Sequence, residues 1–121
     1  MTAKSLQAHV RHQPRIAIID LHGEIDANAE DILNSAYVEA ESRESDIILL
    51  NFNDVKYINS TGIALIVTLL GRARKAQRRL FAYGLSDHYV EIFRITRLAD
   101  FMNVFPDEAS ALSESELRDK S

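Results

Sequence analysis

The sequence predicts a single α/β domain: a mixed, mostly parallel sheet of four to five strands, about four helices and an N-terminal β-hairpin. Three observations carry this. Short apolar runs alternate with helix-length amphipathic segments in the order β-β-α-β-α-β-α-β-α, and strand–helix–strand connections within one sheet are parallel crossovers. Leu6, Ala8 and Val10 alternate with polar residues, then Gln13-Pro14 breaks the run before a second strand, which is the mark of a hairpin. Residues 46–52, Asp-Ile-Ile-Leu-Leu-Asn-Phe, form a nearly continuous apolar run, as a central strand buried on both faces requires.

Taken in order, the second strand covers residues 15–21 and Gly23 ends it. Asp26 and Asn28 are candidate caps for a helix reaching about Ser42, with Glu30 and Asp31 in its first turn, where acids suit the helix dipole. Its buried stripe is expected at Ala29, Ile32, Leu33, Ala36, Tyr37 and Ala40, spaced by three and four. The strand at residues 46–52 is followed by a polar loop and then by a second helix over about residues 60–77. The first half of that helix, Ile63-Ala64-Leu65-Ile66-Val67 with Leu69 and Leu70, is apolar on nearly every side. Its second half carries Arg72, Arg74, Lys75, Arg78 and Arg79, cations that suit a helix C-terminus. Residues 80–84 make another strand. Ser86 caps a third helix bearing Val90, Phe93 and Leu98, and Val104-Phe105 is a last short strand. Pro106-Asp107 opens a closing helix. The domain is expected to span residues 1–112, with residues 113–121 a frayed polar tail.

Composition narrows the function. The 121 residues fit one domain of common size. With no Cys there is no disulfide framework, thiol nucleophile or thiolate metal site. No run of about 18 apolar residues is present to insert in a membrane, and residues 1–15 lack the apolar segment of a secretory signal. A soluble, cytoplasmic protein is expected. The net charge of −4 argues against a general nucleic-acid binder. That charge is unevenly placed: residues 16–55 hold ten acids and one base, whereas residues 56–97 hold eight bases and two acids. Solvated helix faces are the common explanation of such blocks; a bipolar surface that steers a partner is the sharper one.

Familiar catalytic patterns are missing. The four His, at 9, 12, 22 and 88, do not pair at ligand spacing. Ser60 lacks a Gly-x-Ser-x-Gly context, no Gly-rich loop precedes a phosphate-binding Lys, and Asp20 has no acidic partner beside it. Neither an enzyme nor a bound cofactor is expected. The unusual spot is Asn59-Ser60-Thr61-Gly62, where the second helix begins. Either Asn59 or Ser60 could be its N-cap, and a Ser in such a place is most often only a cap. Gly62 in the first turn costs about 1 kcal/mol against Ala, so its use implies a group close to the backbone. A phosphate on this turn would meet free amides and the positive end of the dipole.

Two segments resemble a known family. Leu21-His22-Gly23-Glu24-Ile25-Asp26 is similar to the Leu-x-Gly-Glu-Leu-Asp segment of STAS domains, those of bacterial anti-sigma factor antagonists. Val55-Lys56-Tyr57-Ile58-Asn59-Ser60-Thr61-Gly62-Ile63 resembles their central hydrophobic-Asp-Ser-x-Gly-hydrophobic signature, and the spacing of Val90, Phe93, Leu98, Phe101 and Val104-Phe105 also matches. The resemblance implies a STAS-like fold and a partner switch. The unphosphorylated domain binds an anti-sigma factor that is also a serine kinase and so frees a sigma factor. Phosphorylation of the signature Ser, here Ser60, ends binding, and a metal-dependent serine phosphatase reverses it. Asn59, Ser60, Thr61, Gly62, Ile63 and Asp26 would form the docking surface, and ATP and magnesium would belong to the kinase.

One position departs from the pattern. The family usually has Asp before the phosphoacceptor, whereas this chain has Asn59, which keeps the size and capping ability but not the charge. That favours a second reading, a constitutive STAS subunit of a signalling scaffold or transporter complex that takes no phosphate. Thr61 offers another hydroxyl. A hydrolase with Ser60 as nucleophile ranks third, since no base has a visible place beside it.

Overall fold

The computed structural model describes residues 5–119. Strands β1 (Gln7–Gln13) and β2 (Ile16–Ile25) form the hairpin, followed by a 3-10 turn at Ala27–Ala29 and α1 (Glu30–Glu41). Then come β3 (Ile47–Ile58), α2 (Ser60–Lys75), β4 (Arg79–Tyr83), α3 (Asp87–Ile95), a 3-10 turn at Leu98–Asp100, β5 (Asn103–Phe105) and α4 (Glu108–Asp119). The sheet has five strands in sequence order; β1 and β2 are antiparallel and every other pair is parallel.

This order dictates where the helices go. Each crossover, β2-α1-β3, β3-α2-β4 and β4-α3-β5, steps the same way across the sheet. A right-handed connection therefore places α1, α2 and α3 on one face. The core on that face joins Ala17, Ile19 and Leu21 of β2 and Ile48, Leu50 and Phe52 of β3 to Leu33, Tyr37, Ile66, Leu69 and Phe93. The alternate residues Ile16, Ile18, Ile47 and Leu49 of β2 and β3, with Phe81 and Tyr83 of β4, meet Ala111 of α4 on the other face. Burial on both sides is why β2, β3 and β4 read as continuous apolar runs.

A single helix cannot cover a whole sheet face, and the uncovered rows are polar. Continuing the rows of Ile18 and Leu49 come Asp20 and Asn51. Arg11 donates to Asp20 through Nε (2.6 Å) and to Glu108 at the start of α4 (2.7 Å). Asn51 donates to Asp20 (2.7 Å) and the Tyr83 hydroxyl to Glu108 (2.6 Å). One network thus ties β1, β2, β3 and β4 to α4.

Several elements differ from the sequence expectation. β3 does not stop at Phe52: residues 53–58, expected as a polar loop, continue the strand and pair with residues 22–25 of β2. β4 reaches only the level of Asn51, so beyond it β2 and β3 form a two-stranded ribbon with solvated positions, and the apolar signal fades. Gly23 does not end β2; at φ 110° it sits within irregular pairing of that ribbon. Ile32, expected in the buried stripe of α1, is 41% exposed. Leu98 lies in the 3-10 turn after α3 and is buried. The closing helix continues through residues 113–119 of the expected tail, with Ser115 buried; residues 120–121 and 1–4 lie outside the described residues.

The clamp sets an acid limit to stability. Burial pulls the Asp20 carboxyl upward, but hydrogen bonds from Arg11 and Asn51 outweigh it and hold the group below its ordinary range. Hydrogen bonds from Arg11 and Tyr83 hold Glu108 low as well. A depressed carboxylate stabilises the fold above its unfolded value of about 4 and loses that contribution as pH falls through the folded value. Asp20→Asn is expected to lower stability by about 1–3 kcal/mol near neutral pH, with the gap to wild type shrinking toward about pH 3. Urea midpoints across that range test this; a gap independent of pH would contradict it.

Candidate functional site

The ribbon of β2 and β3 delivers two chain segments to one end of the sheet. Ile25 pairs with Ile58, so the residues after them, Asp26 and Asn59, leave the ribbon side by side. The Asn59 amide donates to the Ile25 carbonyl (3.2 Å), and the Ile58 amide donates to the buried Tyr89 hydroxyl of α3 (2.9 Å). Both segments then turn into helices. Asp26, in extended conformation, accepts from the Asn28 amide (2.9 Å) and caps the 3-10 turn that leads into α1.

Asn59 is the N-cap of α2. Its backbone is extended, its side-chain oxygen accepts from the Gly62 amide (2.8 Å), and its carbonyl takes the Ile63 amide (2.9 Å). Ser60 is therefore the first helical residue and not the cap, and it is exposed together with Thr61. Their two amides are left without an intrahelical acceptor, at the positive end of the helix dipole. Gly62 is buried because α2 begins in direct contact with β2. A Cβ at position 62 would lie 2.1 Å from the Ile25 carbonyl oxygen and 2.8 Å from its carbon. The group that the sequence expects against this glycine is the Ile25 peptide.

Beside Ser60 an open groove of about 510 Å³ separates the start of α2 from α3. Its apolar wall includes Tyr57, Ile63 and Ile92, and Tyr57 is 49% exposed. Asp26, Asn59, Ser60, Thr61, Gly62 and Ile63 thus gather at one end of the molecule: Ser60 and Thr61 at the surface, Asp26, Asn59 and Ile63 half-buried, Gly62 beneath them. His88 lines the same groove, yet no described hydrogen bond links it to Ser60. Among the described residues no group of three or more His, Asp or Glu side chains could hold a metal ion, and no helix is long and apolar enough to cross a membrane.

Sequence reasoning passed over the groove itself. Tyr57 and Ile92 come from a strand end and a helix that only the tertiary fold brings together. An exposed aromatic beside a polar motif is the one local signal that could have pointed there.

Comparison with known proteins agrees with this geometry. The family model described as "STAS domain" matches residues 7–111. The chain belongs to the STAS domain family. A curated relative from Listeria monocytogenes, an "Anti-sigma-B factor antagonist", is 30% identical over 82 residues, covering 68% of this chain and 72% of its own. Among solved structures, an anti-sigma factor antagonist from Mycobacterium paratuberculosis superposes with TM-score 0.78 at 15% identity, covering 91% of this chain and 93% of its own. The Bacillus cell fate determinant SpoIIAA in its phosphorylated form superposes with TM-score 0.68 at 18% identity, covering 89% and 98%. At such identities the two structures speak for the STAS fold.

The contact at Gly62 predicts opposite effects for one substitution at two glycines of α2. Nothing lies within 4 Å of a Cβ at exposed Gly71, so Gly71→Ala is expected to stabilise by up to about 1 kcal/mol. Gly62→Ala must push α2 off Ile25 and is expected to destabilise by about 2–3 kcal/mol. Thermal or urea unfolding of the two variants checks the sign.

Proposed function

We propose that this chain is an anti-sigma factor antagonist that works by partner switching at Ser60. Unphosphorylated, it binds an anti-sigma factor with serine kinase activity and thereby frees a sigma factor in the cytoplasm. Phosphorylation of Ser60 ends binding, and a metal-dependent serine phosphatase restores it. The name of the Listeria relative supports the anti-sigma assignment.

The observation that carries the switch is the division of labour between Asn59 and Ser60. Asn59 caps α2, so the Ser60 hydroxyl is exposed and not consumed in holding the fold. A phosphate there adds about −1.5 to −2 charge. Unengaged first-turn amides and the dipole accept that charge, so the domain itself stays folded. The partner does not tolerate it: an apolar side chain seated in the groove beside Tyr57 and Ile63 would have to leave a dianion desolvated at its edge. Asp26, beside Asn59, supplies the acidic rim of the docking surface, and Thr61 its second exposed hydroxyl.

Asn59 itself supports a second reading. Without the carboxylate usual before the phosphoacceptor, the chain would serve as a constitutive interaction subunit of a signalling scaffold or transporter complex. Three variants separate the readings. Under partner switching, Ser60→Ala keeps its affinity for the anti-sigma kinase and Ser60→Glu loses about tenfold or more, as calorimetry would show. Asn59→Asp retains the cap and speeds phosphate transfer from ATP, followed by mass spectrometry. Equal binding by Ser60→Ala and Ser60→Glu, with no phosphate on Ser60, assigns the constitutive role.

A further inference from the structure

The cations at the far end of α2 are not accounted for by the helix dipole. That end lies roughly 24 Å from Ser60, at 1.5 Å rise per residue over a helix of 16 residues. Its last carbonyls are closed by backbone: the amides of Ala76, Gln77 and Arg78 donate to the carbonyls of Arg72, Arg74 and Ala73. Two of the cations have structural partners. Arg72 donates to Asn34 and lies 4.4 Å from the centre of the Tyr37 ring, while Arg78 donates to the Ser45 carbonyl and pairs with Glu41. Arg74 and Arg79 have no carboxylate partner among the described residues. Gln77, at φ 61°, turns the chain so that Arg79 returns beside Arg74.

Between them is a cleft of about 310 Å³ with a mixed lining. Arg74 and Arg79 contribute charge, Asn103 an amide, and Leu70 and Leu80 apolar surface. Phe101, a residue 55% exposed, forms one wall, and the Arg74 guanidinium lies 5.1 Å from its ring centre. An exposed aromatic beside two guanidinium groups that meet no carboxylate among the described residues matches the composition of interface anchors.

We propose that this cleft is a second docking site, separate from Ser60, for an acidic segment of a partner protein. Arg74 and Arg79 hold carboxylates of the segment, and an apolar side chain lies against Phe101 above Leu70 and Leu80. Carboxylates suit the planar forks of Arg. A nucleic acid would need a continuous basic stripe, whereas Glu41, Asp46 and Asp100 interrupt the surroundings with carboxylates, each already paired to another Arg. A free phosphate would leave Phe101 unused.

The test is a titration of the isotope-labelled chain with a short peptide in which Asp-Glu pairs flank a Leu. The matching Asn-Gln peptide, inorganic pyrophosphate and a DNA duplex are run in parallel. Amide shifts are expected at residues 74–80 and 101–103 and not at 59–63. The double variant Arg74→Glu, Arg79→Glu should weaken the acidic peptide about tenfold or more, and Phe101→Ala about threefold or more, with Ser60→Glu unchanged. No shifts, equal binding of the amide peptide, or tighter binding of pyrophosphate or duplex at the same residues would overturn the proposal. Because Ser60 plays no part in this readout, the outcome is independent of the partner switch.

Discussion

The contact between Gly62 and the Ile25 carbonyl governs the rest of this structure. With a Cβ excluded at 2.1 Å, the first turn of α2 can rest directly on the last peptide of β2. That closeness lets the Asn59 amide reach the Ile25 carbonyl as its own side chain closes on Gly62. The loop between β3 and α2 is thereby reduced to a single residue. Once Asn59 does the capping, Ser60 has no structural duty and faces outward on a rigid turn. The modification proposed for Ser60 requires both properties: a hydroxyl that is reachable, and a backbone that does not move when charge is added.

The topology extends this polarity to the whole molecule. Three crossovers of one hand commit α1, α2 and α3 to the same face, and α2 becomes a rod with the Ser60 site at one end and the basic cluster at the other. Among the described residues the opposite face receives only α4, held at its first residue by Glu108 to Arg11 and Tyr83. Asp20 accepts from two strands in that network, so a polar row replaces apolar burial where one helix cannot reach. The blocks of opposite charge along the sequence meet in the fold, where Arg78 of the basic block pairs with Glu41 of the acidic one.

Legibility followed burial. Strands covered on both sides, such as Ile47-Ile48-Leu49-Leu50, announce themselves by continuous apolar residues, and α1 was readable from Leu33, Ala36, Tyr37 and Ala40. Where a segment is half-solvated the signal fails. The ribbon continuation of β3 through Asn53, Asp54 and Lys56 looks like a loop, because its apolar residues have only one surface to meet. Ile32 has the right chemistry for a core and the wrong angular position, a distinction of tens of degrees that spacing alone does not resolve. The site was legible in its residue types, Asn59 to Gly62, but not in its groove, whose walls come from β3, α2 and α3.

By itself the sequence determined the order of elements, the parallel crossovers, the family signature and the demand for a close neighbour at Gly62. These depend on periodicity and on local steric limits, which neighbouring residues carry with them. Only the tertiary structure decided that the neighbour is Ile25, that Asn59 rather than Ser60 caps the helix, and that Arg74 and Arg79 open on one cleft with Phe101. Those outcomes rest on which distant segments are brought within hydrogen-bond or van der Waals reach. That is set by strand register and helix crossover, not by any residue's own preference.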